Sequence, residues 1–413
     1  MSEFDVLRQE IAQIQSKHRA RPEMVHGLMV PYFRRGVMAI PALKMKSEGN
    51  VETEGREQSL RLMSKTAQMP VDYFFYDLED AAPDNPHLKT YARQFLIEAL
   101  LANDYGDRVV AFRPNNIRTS YFEDDLIEVL SKAGHRLQSM VIPKTEHVDE
   151  VADVLKVIND VMRISGHTNK IHIEVLIESA QGFLHAENIA KLDGVSALVH
   201  GSWDFARTIG GKVTAEGWLM DQAVIRQMLP IIASAYGKDA VDAVTVTLPL
   251  RPKKPADLSV EEYKAALKLS SSELDAAQVG EDFVAAMKRK EYAIELCRHD
   301  ALNARAIGYA AKWILHPDQI KPIHDAWSPG REESLKALKL TADYTAAALA
   351  GSGAEVDHDR LADKAVVGTE WWLVRAGLRT GSLTQADIDA TGFTYEQLLR
   401  CVVTTEAQIE QWK

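Results

Sequence analysis

Eight short runs of apolar, β-branched and aromatic residues recur between stretches of helical pattern, and this alternation limits the possible folds more than any other feature. The runs are Val37–Pro41, Tyr73–Asp77, Val109–Arg113, Ser139–Pro143, Ile171–Glu178, Ala197–Gly201, Ala243–Leu248 and Lys312–His316. Between them, segments such as Thr90–Asn103, Asp124–Ala133 and His147–Arg163 repeat apolar residues at helical spacing. Strands alternating with helices predict a parallel sheet, and eight such units close a (β/α)8 TIM barrel. The runs are continuously apolar, as strands covered on both faces are. An open doubly wound sheet shares the alternation, but its glycine-rich phosphate turn after the first strand is missing.

The expected organisation is a barrel over residues 1–330, with a helical insertion at about 250–300, followed by a helical C-terminal extension over 331–413. The insertion is read from the long stretch between Leu250 and Ala311. It opens with the basic Arg251-Pro252-Lys253-Lys254-Pro255 and continues with helical Glu261–Leu269 and Phe283–Cys297. After Pro329 the pattern is wholly helical, with Glu332–Leu349, Thr369–Leu378 and Tyr395–Trp412, and Gly351-Ser352-Gly353 marks a joint.

A formal net charge of −11 argues against a nucleic-acid partner. No stretch approaches the roughly 20 apolar residues of a membrane-spanning helix, so no membrane association is expected. The start, Met1-Ser2-Glu3-Phe4-Asp5, has no apolar signal core. With only Cys297 and Cys401 a disulfide framework is implausible, and a cytoplasmic setting is expected.

In a parallel barrel, residues at the carboxyl ends of strands converge at the mouth. Here those ends carry Asp77, Glu79 and Asp80, then Arg113, Lys144, Glu178, Asp204 and His316. Glu178 and Asp204 have no matching cation in sequence, and two converging carboxylates suit a hard divalent cation. They are read as ligands of one Mg²⁺-type ion, against the plainer alternatives of a helix cap or a rim ion pair. Arg113 could bind a carboxylate bidentately or stabilise a developing oxyanion. It could equally pair with Asp77, Glu79 or Asp80. Glu79 and Asp80 in turn could orient water on the ion or simply neutralise Arg113.

Several motifs occur in order. They are Arg34-Arg35-Gly36-Val37 through Pro41, Asp77-Leu78-Glu79-Asp80-Ala81, Arg113-Pro114-Asn115, Pro143-Lys144, Ile177–Gly182, Gly201-Ser202-Trp203-Asp204 and Ile314–Ile320. Together they resemble the HpcH/HpaI aldolase and citrate lyase β-subunit superfamily over about residues 34 to 330. The chain looks most like its CoA-ester lyase branch, the malyl-CoA, β-methylmalyl-CoA and citramalyl-CoA lyases. The free-acid aldolases of that superfamily typically carry Glu-His where this chain has Glu79-Asp80.

The resemblance implies a (β/α)8 barrel that binds Mg²⁺ (or Mn²⁺) through Glu178 and Asp204. It also implies substrate binding by Arg113, with Glu79 and Asp80 as supporting catalytic carboxylates. The implied reaction cleaves or forms a malyl-CoA-type 3-hydroxyacyl-CoA, to or from an acyl-CoA and a 2-oxo acid such as glyoxylate or pyruvate. Cations around the first strand, Arg34, Arg35, Lys44 and Lys46, fall where the family binds CoA phosphates. The family also shares an acidic C-terminal residue between subunits, which implies a homo-oligomer. In this chain Gly368 stands in that position, with Asp363 and Glu370 out of register. The alternatives are a malate synthase or thioesterase-type hydrolysing variant, a free-acid aldolase, or a catalytically silent binding subunit of the same fold.

Overall fold

The computed structural model describes residues 8–9, 11–13, 33–45, 49–214, 222–357 and 360–403. Backbone contacts divide the chain into a unit from Val30 to Trp327 and a second unit that takes in the residues from Ser328 onwards.

In the first unit the strands are β1 (Gly36–Pro41), β2 (Tyr73–Asp77), β3 (Val109–Arg113), β4 (Ser139–Ile142), β5 (His172–Ile177), β6 (Val195–His200), β7 (Asp239–Asp242) and β8 (Ala311–Ile314). They pair in chain order, all parallel, and β1 closes on β8, so the expected (β/α)8 barrel is present. The two-residue period of a strand explains its filling. Tyr73 and Phe75, Val109 and Ala111, Ala197 and Val199, and Ala311 and Trp313 pack together as the barrel's inner core. Their neighbours Phe74 and Tyr76 are also fully buried, against Tyr105 beyond the helix Pro86–Ala102. Register sets Asp77 beside Arg113 and Ile177 beside His200, so the residues leaving these strands emerge at one rim. The chain turns sharply there. Ser179, directly after Glu178, accepts the Gly182 N–H and starts the helix Ala180–Ala190.

Most strand limits shift by one or two residues, and the seventh and eighth differ in ways that matter to the site. The β-branched run at 243–248 is a loop, and the seventh strand is the preceding Asp239-Ala240-Val241-Asp242. Two aspartates in four residues disguise a strand in sequence. In the fold each is buried against cations, Asp239 against Arg34 and Asp242 against Arg226 and Lys312. The eighth strand likewise ends at Ile314, short of His316, whose ring Nδ1 accepts the Asp318 N–H and caps a short helical turn. In the long connection before β8, the helix Glu281–Ala306 runs to the strand as the barrel's own covering helix. Only the part before it, with helices Val260–Ala266 and Ala276–Val279, builds a small separate core, in which Ala266 and Val279 meet Phe283 and Met287.

The second unit gathers the helices Arg331–Leu349, Lys364–Thr380, Gln385–Ala390 and Tyr395–Val402 around Leu338, Val367, Trp371, Val374, Leu398 and Leu399. The wholly helical reading of this region is corrected by an antiparallel hairpin, β9 (Ala354–Asp357) with β10 (Arg360–Asp363). Strands of four residues are too short for their period to stand out from helical spacing. Among the described residues, no helix is long and apolar enough to cross a membrane.

At the amino-terminal end of the barrel, Arg34 is wholly enclosed and pairs with Glu174 of β5 and, at 3.1 Å, with Asp239 of β7. Arg35 binds Asp72, the residue before β2, through its backbone N–H and its guanidinium, at 3.0, 2.8 and 2.6 Å. Arg34→Met leaves two buried carboxylates without their cation, a loss of about 3–5 kcal/mol. Urea unfolding of this variant is expected to show a clearly lower midpoint than the parent at an unchanged slope.

Candidate metal centre and active site

The carboxyl ends of the strands enclose a cavity of about 420 Å³. Asp77, Asp80, Arg113, Glu178 and Asp204 line it together with apolar Leu176, Val244, Trp313 and Leu315. The geometry thus brings together five of the ionisable residues singled out at strand ends.

Arg113 ends β3, and its Nε and Nη2 donate to the two carboxylate oxygens of Asp77 at 2.8 and 2.6 Å. Its Nη1 lies 3.2 Å from Glu79 Oε2 and 3.8 Å from Asp80 Oδ2. Of the two readings of Arg113, the ion pair is therefore realised, and the guanidinium still borders the cavity. Burial works against its charge, but Asp77, Glu79 and Glu178 hold it ionised, far above its ordinary range. Asp77 also accepts the N–H groups of Glu79 and Ala81 at 2.9 and 3.1 Å, which shapes the turn that presents the acidic pair.

Glu79 and Asp80 both accept from Lys144 Nζ, at 2.5 and 2.7 Å. Burial pushes the Glu79 carboxyl up to about 7, against the opposing pull of Arg113 and with the help of Asp80. Asp80 is held below its usual value because hydrogen bonding to Lys144 and the charge of Arg113 outweigh its partial burial.

Glu178, 4% exposed, follows β5 and accepts the Lys144 backbone N–H on Oε1 at 2.5 Å. Its other oxygen faces Gly201. A Cβ built on Gly201 would overlap the Glu178 side chain and lie 2.8 Å from Oε2, so glycine here is what lets Glu178 lie against the backbone after β6. Asp204 sits in the first turn of the helix Ser202–Ile209 and accepts from Arg207 Nη2 at 2.7 Å. The start of that helix is tied down by Gln222. Its amide donates to the Ser202 carbonyl at 2.8 Å, and its Oε1 lies 2.7 Å from His200 Nε2. Burial pushes the Glu178 carboxyl up to about 8. Arg113 and the Lys144 N–H oppose this, while the nearby charges of Glu79 and Asp204 add to it.

A divalent cation suits this donor set. Among the described residues, Asp77, Glu79, Asp80 and Asp204 form ion pairs with Arg113, Lys144 and Arg207, and the charge of Arg113 also bears on Glu178. That leaves more carboxylates than cations around the cavity, with one Glu178 oxygen packed beside Gly201 at its wall. Among the described residues no group of three or more His, Cys, Asp or Glu side chains is placed to hold a metal. Two carboxylates still suffice for Mg²⁺, which keeps waters and substrate oxygens in its remaining positions.

The proposed CoA cations are not brought together. Arg34 and Arg35 sit at the opposite end of the barrel, consumed by Glu174, Asp239 and Asp72, so neither reaches a ligand at the mouth. Strand direction explains the correction. They precede β1, and only residues that follow a strand reach the mouth. Lys44 does follow β1 and is exposed, with its backbone N–H on Ser59 Oγ at 2.8 Å. Lys46 lies outside the described residues. In the second unit Asp363 caps the helix Lys364–Thr380 by accepting the Ala365 and Val366 N–H groups.

Sequence reasoning missed the double role of Lys144 and a second buried charge cluster. In that cluster Asp242 meets Arg226 and Lys312, and both cations also contact Asp300. Placing the seventh strand at 243–248 hid Asp242. A charged residue flanked by strand-like Ala240-Val241 was the available signal.

The sequence model of the HpcH/HpaI aldolase/citrate lyase family matches residues 56–250. The L-malyl-CoA/β-methylmalyl-CoA lyase of Cereibacter sphaeroides is 27% identical over 316 residues, covering 76% of this chain and 90% of that protein. Among solved structures, a citrate lyase from Burkholderia xenovorans has a TM-score of 0.63 at 22% identity, covering 88% of this chain and 98% of that one. CitE from Mycobacterium tuberculosis, in complex with magnesium, acetoacetate and coenzyme A, has a TM-score of 0.54 at 20% identity, covering 84% of this chain and 98% of that one. These two structures share the fold.

The raised carboxyls of Glu178 and Glu79 give the site a pH signature. Each folded-state value exceeds that of the unfolded chain, so the folded protein retains protons that unfolding releases. Without a divalent ion, their contribution to stability is full below about pH 4 and is lost as pH rises through 7 to 8. An ion that needs the carboxylate form must displace those protons. Calorimetric Mg²⁺ titrations at pH 7 in buffers of different ionisation enthalpy are expected to show about one proton released, and affinity that rises from pH 6 to 9. Proton-neutral binding at pH 7 would contradict the assignment.

Proposed function

We propose that the chain, whose residues 56–250 match the HpcH/HpaI aldolase/citrate lyase family, is a carbon–carbon lyase that cleaves and forms 3-hydroxyacyl-CoA esters of the malyl-CoA type. The products are an acyl-CoA and a 2-oxo acid such as glyoxylate or pyruvate, and the cofactor is Mg²⁺ or Mn²⁺ held by Glu178 and Asp204. One observation carries this reading. Glu178 and Asp204 border the same cavity as an Arg113 whose orientation is fixed by Asp77. The likeness to a malyl-CoA/β-methylmalyl-CoA lyase supports the substrate class. The magnesium and coenzyme A in the CitE complex are consistent with it.

The chemistry demands what the mouth offers. Breaking the bond between the hydroxyl-bearing carbon and the acyl α-carbon sends its electron pair into the thioester as an enolate. The hydroxyl proton leaves as the oxo group forms. The divalent ion, when bound, supplies Lewis acidity toward the oxo acid. Arg113 adds a permanent charge that Asp77 holds in place, so no reorientation is needed as negative charge develops. Glu79, poised at about 7 beside Arg113, can hold or release a proton near neutral pH. Asp80 anchors Lys144, which in turn fixes Glu79. The apolar wall of Leu176, Val244, Trp313 and Leu315 excludes water around the reacting carbon.

Incubation with Mg²⁺ and a panel of 3-hydroxyacyl-CoAs tests the proposal, with released oxo acid trapped as its phenylhydrazone and CoA species followed by mass spectrometry. Cleavage of at least one four- or five-carbon ester is expected, with kcat reduced on the order of 100-fold or more in Glu178→Gln and Asp204→Asn. Variants as fast as the parent would overturn the metal assignment. Free CoA in place of an acyl-CoA product would mark a hydrolysing enzyme.

A further inference from the structure

Lys144 is one of two non-glycine residues with positive φ among those described, at 51°. Left-handed backbone is costly for a side chain that gains no local hydrogen bond from it, and such residues persist where their surroundings hold them. The Lys144 carbonyl accepts from Asn116 Nδ2 at 3.3 Å and from Arg118 Nη1 at 2.9 Å. Its N–H is turned onto Glu178 Oε1 at 2.5 Å. Its side chain passes beyond the end of β3 and places Nζ between Glu79 Oε1 and Asp80 Oδ1 at 2.5 and 2.7 Å. One residue thus touches both acidic groups of the mouth in opposite ways, with a backbone dipole on one and a full charge on the other.

That difference decides which carboxylates a cation can use. Arg113 engages both oxygens of Asp77, and Lys144 engages Glu79 and Asp80, so these three carboxylates already face a buried or half-buried positive charge. Asp204 meets only the exposed Arg207, and both of those hydrogen bonds fall on Oδ1. Glu178 receives only a neutral N–H from Lys144, which fixes one oxygen and leaves the other beside Gly201 at the cavity wall. We propose that Lys144 is a positioning residue that directs a divalent ion to Glu178 and Asp204 by withholding Glu79 and Asp80 from it. This rests on the metal assignment made above. The left-handed backbone lets one residue do both, since its N–H and its side chain must leave toward different strands. Without the Lys144 charge, the acidic pair becomes an alternative or additional place for a cation.

The test is Mn²⁺ binding to the full chain, followed by the loss of the free-ion paramagnetic resonance signal. The parent is compared with Lys144→Met, Lys144→Gly and Lys144→Arg, each checked for an unchanged melting profile. The parent is expected to bind one ion. Lys144→Met and Lys144→Gly are expected to bind a second ion, or to bind the first at least tenfold more tightly, because each removes a positive charge beside the site. Lys144→Arg keeps the charge and is expected to match the parent's stoichiometry. Glycine relieves the backbone, so agreement between Met and Gly assigns the effect to charge and not to strain. One ion with the parent's affinity in Lys144→Met overturns the inference and leaves the metal assignment standing. A parent that binds no ion overturns both.

Discussion

Repulsion among carboxylates held together at one end of a barrel is the constraint on which the rest of the site depends. Asp77, Glu79, Asp80, Glu178 and Asp204 leave their strands at a common rim, where burial denies Asp77, Glu79 and Glu178 most of the screening that water would give. Arg113 and Lys144 offset part of that charge, and each is committed to a particular partner. Arg207 meets Asp204 from an exposed position, and Glu178 is pushed toward its protonated form chiefly by burial, with the charges of Glu79 and Asp204 adding to it. A doubly charged ion relieves this strain directly.

The contrast with the other buried charges of the barrel strengthens this reading. Between the strands and their covering helices, Arg226 and Lys312 meet Asp242 and Asp300, two cations against two carboxylates, with Thr245 Oγ1 donating to Asp300 at 2.6 Å. Matching of this kind is what a purely structural network requires, because an uncompensated charge in such a place is strongly destabilising. At the amino-terminal end one cation, Arg34, is shared by two carboxylates, Glu174 and Asp239, in an enclosed space over the Tyr73 ring. The mouth differs from both clusters in opening on a cavity, and an excess of carboxylates facing a cavity is a mark of function more than of folding.

Much of the barrel was legible because its strands read as unbroken apolar runs. Tyr73–Asp77 and Val109–Arg113 carry the same limits in sequence and structure. The seventh strand was not legible, since Asp239 and Asp242 look like loop residues until their distant partners are known. The site divides in the same way. Glu178, Asp204 and Arg113 announce themselves as ionisable residues at the ends of apolar runs. The pairing of Arg113 with Asp77 depends on the register between neighbouring strands, and periodicity does not supply it. Arg34 and Arg35 looked like phosphate ligands because they adjoin a strand, but the end of the strand they adjoin decides their environment. The grip of Lys144 on three carboxylates required its left-handed backbone, which lysine gives no reason to anticipate.

The proposed divalent ion would sit between the fifth and sixth strand ends, where anomalous diffraction from crystals soaked in Mn²⁺ can locate it. A single strong peak is expected within coordination distance of a Glu178 oxygen and an Asp204 oxygen. A peak seated between Glu79 and Asp80, or density confined to the protein surface while the mouth holds only water, would contradict it.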